Sequence, residues 1–173
     1  MKSAPMRSAG PAVLAVASLL ASCRAPDPKA VLETSDVETY WAIDSAHGET
    51  QYIAPVVRFQ VRNKGTRDER TVEAQATFRR QGEDIIWSSA WQKVTAPGGP
   101  LFPAGSQALV VLKPENEGRY FSTGLPETMF QHDNFRDANV DVFLRIGSSP
   151  WTKFFTADVE RRIGTRSVQA PSP

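Results

Sequence analysis

Few residues in this chain have types and spacings that could do chemistry. It has two histidines, His47 and His132, and a single cysteine, Cys23. His47 lies in Asp44-Ser45-Ala46-His47-Gly48-Glu49, where Asp44, His47 and Glu49 could be drawn as ligands of a metal ion. Zinc and its neighbours ask for three or four converging ligands rich in His or Cys. One histidine between two carboxylates reads instead as a polar hairpin loop. His132 has Asp133 beside it and Ser122 and Thr123 upstream. A serine hydrolase needs a base and an orienting acid around an activated hydroxyl, and no Gly-x-Ser-x-Gly elbow is present. The segment reads as a capped loop carrying a surface histidine. Neither Gly-x-Gly-x-x-Gly nor a Walker-type Gly-Lys-Ser/Thr occurs, and Glu83-Asp84 falls where a solvated turn is expected. No catalytic residue, metal or cofactor is therefore expected.

Cys23 is the exception. Lys2 and Arg7 give a basic start, and Ala12 to Leu20 (AVLAVASLL) is an apolar run without charge. The run is too short to span a bilayer, which takes about 20 apolar residues, and has the proportions of an export signal. It ends in Leu20-Ala21-Ser22-Cys23, which resembles a bacterial lipobox. That resemblance implies that the Cys23 thiol receives a diacylglyceryl group, that residues 1–22 are removed, and that Cys23 becomes an acylated N-terminus. Each buried methylene adds about 0.8 kcal/mol, and stable anchoring takes at least two chains or signals, which a lipoprotein carries on this one residue. Arg24 follows where, by analogy with enteric lipoproteins, an Asp would favour the inner membrane. The expected location is the outer membrane, facing the periplasm. Residues 23–30, with Ala25 to Lys29 reading APDPK, make a short stiff tether.

Cleavage leaves eighteen basic against nineteen acidic side chains. A near-neutral chain offers no electrostatic footprint for nucleic acid. One cysteine allows no internal disulfide.

The elements that must position any site read as strands. Val37, Thr39, Trp41 and Ile43 are expected on one side of a first strand. Val57, Phe59 and Val61 alternate with Arg58, Gln60 and Arg62, and Asn63-Lys64-Gly65 then turns the chain. Val72, Ala74, Ala76 and Phe78 alternate with polar residues, and Gln81-Gly82-Glu83-Asp84 is a hairpin loop leading into a strand at Ile85-Ile86-Trp87. Thr95 to Gly105 holds three prolines and three glycines and reads as loop. Ala108, Val110 and Leu112, then Val140, Val142, Leu144 and Ile146, give further strands, and Trp151 to Ile163 closes the body. About eight short strands with one apolar face each predict an all-β, immunoglobulin-like antiparallel sandwich over residues 31–163, with a partly closed barrel as runner-up and a frayed tail at 164–173. Glu115 to Phe135 breaks the pattern. It is expected to be one long irregular crossover, with a helical turn possible at Glu115 to Tyr120.

The runs VVRFQVRNKG, TVEAQATFRRQGEDIIW and LFPAGSQALVVL are similar to the pattern of FxLYD-type and related immunoglobulin-like domains of bacterial envelope proteins. Asn63 and Gly65 match the turn, Gly82 the hairpin, and Gly105 the lead into a later strand. The resemblance covers under half the chain and implies a fold, with no functional residue attached.

The crossover carries the candidate partner-binding residues. Arg119, Tyr120, Phe121, Met129, Phe130, His132 and Phe135, with Leu125 among them, concentrate aromatics, Met and Arg in a stretch without strand period, the composition that protein interfaces favour. The competing reading is that these aromatics plug the open end of the sandwich. A second candidate follows from register. A two-residue turn at Ser148-Ser149 sets Phe143 opposite Phe154 on an outer sheet face, though it also aims Lys153 inward opposite Leu144. Arg161, Arg162 and Arg166 could touch anionic headgroups or simply be solvated. The expectation is a non-enzymatic envelope lipoprotein, held to the membrane at Cys23 and binding another envelope protein. The alternative is a lipid or small-molecule module with an apolar pocket. A hydrolase is the third reading.

Overall fold

The structure is a computed structural model and describes residues 26–47, 50–95, 99, 101–115 and 117–164. Cys23, the leader and the tail beyond Gly164 lie outside them. After a short helix α1 (Pro28–Val31) come β1 (Leu32–His47), β2 (Thr50–Asn63), β3 (Val72–Arg80), β4 (Ser88–Val94), β5 (Gln107–Leu112), β6 (Tyr120–Ser122), a 3-10 helix (Pro126–Gln131), β7 (Ala138–Ile146), β8 (Thr152–Asp158) and β9 (Ile163–Gly164). No helix among the described residues is long and apolar enough to cross a membrane.

Two sheets face each other. One runs β5-β2-β1-β9 with β6 also on β2, and the other runs β4-β3-β7-β8. The order β1-β2-β5 against β4-β3-β7-β8 is that of an immunoglobulin-like sandwich. All ladders are antiparallel except β9, which lies parallel to β1 at Trp41 and Ala42. The sheets stay separate layers, so the barrel alternative does not hold.

The alternation seen in the sequence builds the interior. Val57, Phe59 and Val61 of β2, Val72, Ala74, Ala76 and Phe78 of β3, Val110 and Leu112 of β5, and Val140, Val142 and Leu144 of β7 are all buried. Burying one such aliphatic or aromatic side chain is worth roughly 1.5–3 kcal/mol, so two faces of this kind have nowhere to go but onto each other.

Three local readings are corrected. First, β1 carries a bulge between Ser35 and Glu38, with Asp36 at φ 51°. The extra residue turns Val37 outward while Thr39 and Trp41 remain inside. Second, Ile85-Ile86-Trp87 is not a strand. β4 begins at Ser88, and Ile85 and Ile86 stay in the loop. Third, the turn after β7 pairs Leu144 with Thr152 and Phe143 with Lys153, and a bulge restores Val142 opposite Phe155. Lys153 therefore points outward over the Phe143 ring, 5.7 Å from its centroid, while Phe154 and Phe155 both pack on the core. The expected Phe143–Phe154 outer pair does not form.

Strand direction gives the sandwich two distinct ends. β1 starts and β2, β4 and β7 finish at the end where α1 enters, here the tether pole. The β1–β2 hairpin, the loop after β3, β6 and the 3-10 helix crowd the other end, the distal pole. The tether pole is tied down by polar contacts. Asn63 is fully buried, its Nδ2 donates to the carbonyls of Arg67 and Phe102 (2.9 Å each), and its Oδ1 accepts from Gly65 N. Gly65 fits closely here, since a Cβ would sit 3.0 Å from Asn63 Oδ1 and 3.1 Å from Val31 Cγ1, and both side chains would have to give way slightly. Lys64 N donates to Val31 O, which fastens α1 to this turn.

Candidate functional site

The candidate segment is placed by two devices. β6 pairs Tyr120 with Ile53, Phe121 with Tyr52 and Ser122 with Gln51, which adds a short edge strand at the distal end of β2. Gly118, at φ 70°, then lets the chain pass against β4, since a Cβ at that position would fall 2.3 Å from Ser88 Cβ. Both the left-handed backbone and the contact require glycine there. Of the two readings of 115–120, helical turn or crossover, no helical turn forms among its described residues. A 3-10 helix forms later, at Pro126–Gln131, with Pro126 in the first turn, where the missing amide N–H costs nothing.

Under this segment lies an aromatic cluster built on Trp41, which is fully buried. The Trp41 ring has Phe135 at 5.2 Å, Tyr120 at 5.7 Å, Trp87 at 6.3 Å and Phe130 at 6.4 Å between centroids. Tyr120 also stands 5.1 Å from Trp87 and 5.0 Å from Phe135. The tilted and edge-on angles suit ring quadrupoles, worth about 0.5–1.5 kcal/mol per pair beyond area burial. Tyr120 Oη is held by the backbone N and O of Arg136 at 3.2 Å. Arg161 lies 5.6 Å over the Phe135 ring and makes a two-pronged pair with Asp137, 2.7 Å on each side. That pair holds the Asp137 carboxyl below its ordinary range, by hydrogen bond and by charge.

Outside the cluster, Arg119, Tyr120, Phe121, Thr128, Met129, His132, Asn134 and Phe135 line a half-open cavity of about 310 Å³. Arg119 pairs with Asp44 at 2.7 Å, and Lys113 reaches the same carboxylate. His132 is exposed and accepts through Nδ1 from Asn134 N at 3.1 Å. Four large apolar side chains are left in water at this pole: Ile85 (77% exposed), Phe121 (71%), Leu125 (68%) and Ile86 (51%). They are half of the exposed large hydrophobics among the described residues. Trp87, next in sequence to Ile86, touches Tyr120, next to Phe121, so the two loops are neighbours.

No family model matches the chain, and no curated protein does. The solved structures it matches are distant. A β-glucuronidase 2 of Bacteroides uniformis is 15% identical, with a TM-score of 0.42 over 69% of this chain and 12% of that one. A protein from Archaeoglobus fulgidus is 14% identical, with a TM-score of 0.41 over 73% and 94%. An exo-β-N-acetylglucosaminidase of Vibrio harveyi is 10% identical, with a TM-score of 0.27 over 79% and 20%. The chain thus spans about an eighth of the glucuronidase's length.

The seven candidate residues divide. Phe121 and His132 are presented to solvent, while Tyr120, Met129, Phe130 and Phe135 pack on the core, and Tyr120, Met129 and Phe135 also wall the cavity. Arg119 is a strut fixed by Asp44. The plugging reading holds for Tyr120, Met129, Phe130 and Phe135, and Phe121 and His132 are left exposed. Leu125, Ile85 and Ile86 complete the exposed set. Composition had already placed Leu125 in the segment. The two isoleucines were missed because a β-branched pair reads as strand.

Other chemical candidates resolve as follows. The Asp44 carboxylate goes to Lys113 and Arg119, and no cluster of three or more metal-ligating side chains occurs among the described residues. The side chains of His47 and Glu49 lie outside those described. Arg162 pairs with Glu160 and Glu38, and Arg166 lies outside. On the outer face of the second sheet Asp141 is nearly buried. Burial alone would raise its pKa. Hydrogen bonds from Thr156, Lys153 and Arg79, with the charge of Lys153, outweigh burial and bring it down to about 2.

Proposed function

We propose that this chain is a non-enzymatic, lipid-anchored accessory module of a bacterial envelope, with Cys23 carrying the lipid and the distal pole binding another envelope protein. The carrying observation is the exposure, at one end of the sandwich, of Ile85 and Ile86 in the loop after β3, Phe121 in β6 and Leu125 beyond it, next in the chain to the packed rings of Trp87 and Tyr120. Exposing such side chains together costs solubility unless a partner covers them. A packed layer beneath keeps them in place, which lowers the entropy lost on binding. The lipobox resemblance and the FxLYD-type pattern support the envelope setting. Tethering would then raise the local concentration of the module at the membrane.

The test is recovery of partners from detergent extract. The expected result is a protein retained by the parent chain and by Trp91→Ser, whose exposed ring lies on the other sheet, and lost by the Phe121→Ser/Leu125→Ser double variant. Equal recovery by all three overturns the assignment of the surface.

A second reading has its own observation. The cavity of about 310 Å³, walled by Tyr120, Phe121, Met129 and Phe135, falls at the small end of ligand pockets, roughly 300–1,000 Å³. It would take a small apolar ligand. Saturable binding of such a ligand, abolished by Met129→Trp, would favour this reading.

A further inference from the structure

The two poles, taken with the length of the tether, say from which side a partner arrives. This inference rests on the anchor at Cys23 proposed above. The first element of the described residues is α1. Asp27 caps it by accepting from Lys29 N at 3.0 Å, Pro28 is buried, and Val31 is fastened to the β2–β3 turn. Only four residues lie between Cys23 and Pro28, so the five steps span at most about 18 Å when fully extended. Tyr120 pairs with Ile53, and Ile53 with Ile43, eleven residues along β1 from Leu32. At about 3.3 Å per residue that is roughly 36 Å from the tether pole, twice the tether's reach.

An anchored domain could still lie flat if one side were drawn to the bilayer. The broad faces expose only separate large apolar side chains, Val37 and Leu109 on the first sheet and Trp91 on the second, and pair most of their charges. On the first sheet, Glu33–Arg62 and Glu38–Arg58 pair across strands. On the second, Glu73 pairs with Arg145, and Asp141 with Arg79 and Lys153. Faces that neutralise their own charges gain little from anionic headgroups, which reward an excess of Lys and Arg.

We infer that the domain stands upright on its anchor and that the distal pole meets a protein approaching through the aqueous space, not a lipid drawn from the anchoring bilayer. The membrane fixes the module's position, and the recognition surface faces away from it.

The experiment uses the full lipidated chain. Once Cys23 is acylated, an engineered cysteine is the only free thiol. A donor dye is placed at Phe121→Cys or at Arg67→Cys, and the protein is reconstituted in phosphatidylethanolamine/phosphatidylglycerol vesicles with a headgroup acceptor. Energy transfer from position 67 should exceed that from position 121 several-fold, and Leu125→Cys should match 121. Equal transfer from 67 and 121 would mean the domain lies flat, and overturns the orientation while leaving the anchor intact. A chain that does not sediment with the vesicles overturns the anchor, and the orientation with it.

Discussion

The two ends of the sandwich solve the same problem in opposite ways. At the tether pole the loops close on backbone and amide hydrogen bonds, with Asn63 linking three segments and Leu101 the only large hydrophobic, among the described residues there, left in water. At the distal pole the loops close on rings, with Trp41 beneath and four large apolar side chains outside. A pole closed by hydrogen bonds is finished and needs nothing more. A pole closed by rings still shows apolar surface, which on the proposal above is what a partner covers.

The comparison can be broken most forcefully at Trp41. Trp41→Ala removes the ring on which Tyr120, Phe130 and Phe135 pack, and should cost about 3–5 kcal/mol in denaturant unfolding. A loss under 1 kcal/mol would show that the crossover does not depend on the cluster. At the other pole, Asn63→Ala leaves two carbonyls and one N–H of buried turns without their partner and should cost about 2–3 kcal/mol. The two losses should differ in kind. The Trp41 variant should also loosen the crossover towards protease, whereas the Asn63 variant should loosen the 64–71 turn.

Asp141 lies on neither pole and sharpens the contrast as a control. Its folded pKa, about 2, is below its ordinary 3.8. A carboxylate depressed on folding contributes its full stability above the unfolded value and loses it as pH falls through the folded one. About 2 kcal/mol should therefore disappear between roughly pH 4 and pH 2. Asp141→Asn should lose a similar amount at neutral pH and show a flatter acid limb. The smallest effect on stability is expected where the effect on binding is largest. Phe121→Ser/Leu125→Ser should change unfolding by no more than about 0.5 kcal/mol.

Much of the frame was legible because period-two alternation has one physical outcome when both faces of a sheet cannot be solvated. Val57-Phe59-Val61 and Val72-Ala74-Ala76-Phe78 went where their spacing put them. The misses share a cause. At Val37 and at Phe143–Phe154 a bulge inserted one residue, which turns the side chain at the bulge to the other face while the pairing beyond it keeps the expected sides. Nothing in local composition marks it. Ile85 and Ile86 misled in the opposite sense, since strand propensity rewards residues that fit a half-buried pleat and these two are left in water. At the candidate site, composition found the segment but could not sort its residues. Tyr120 and Phe121 are adjacent and aromatic, and only the pairing of β6 with β2 sends one ring to Trp41 and the other to solvent.

The central claim is that the distal pole is the surface the protein uses. Its most direct test places a photo-crosslinking amino acid at position 121, 125, 67 or 91 of the lipidated chain in living cells. The account predicts one discrete protein adduct from 121 and 125 and none from 67 or 91. Adducts from 67 or 91 with none from 121 and 125 would contradict it.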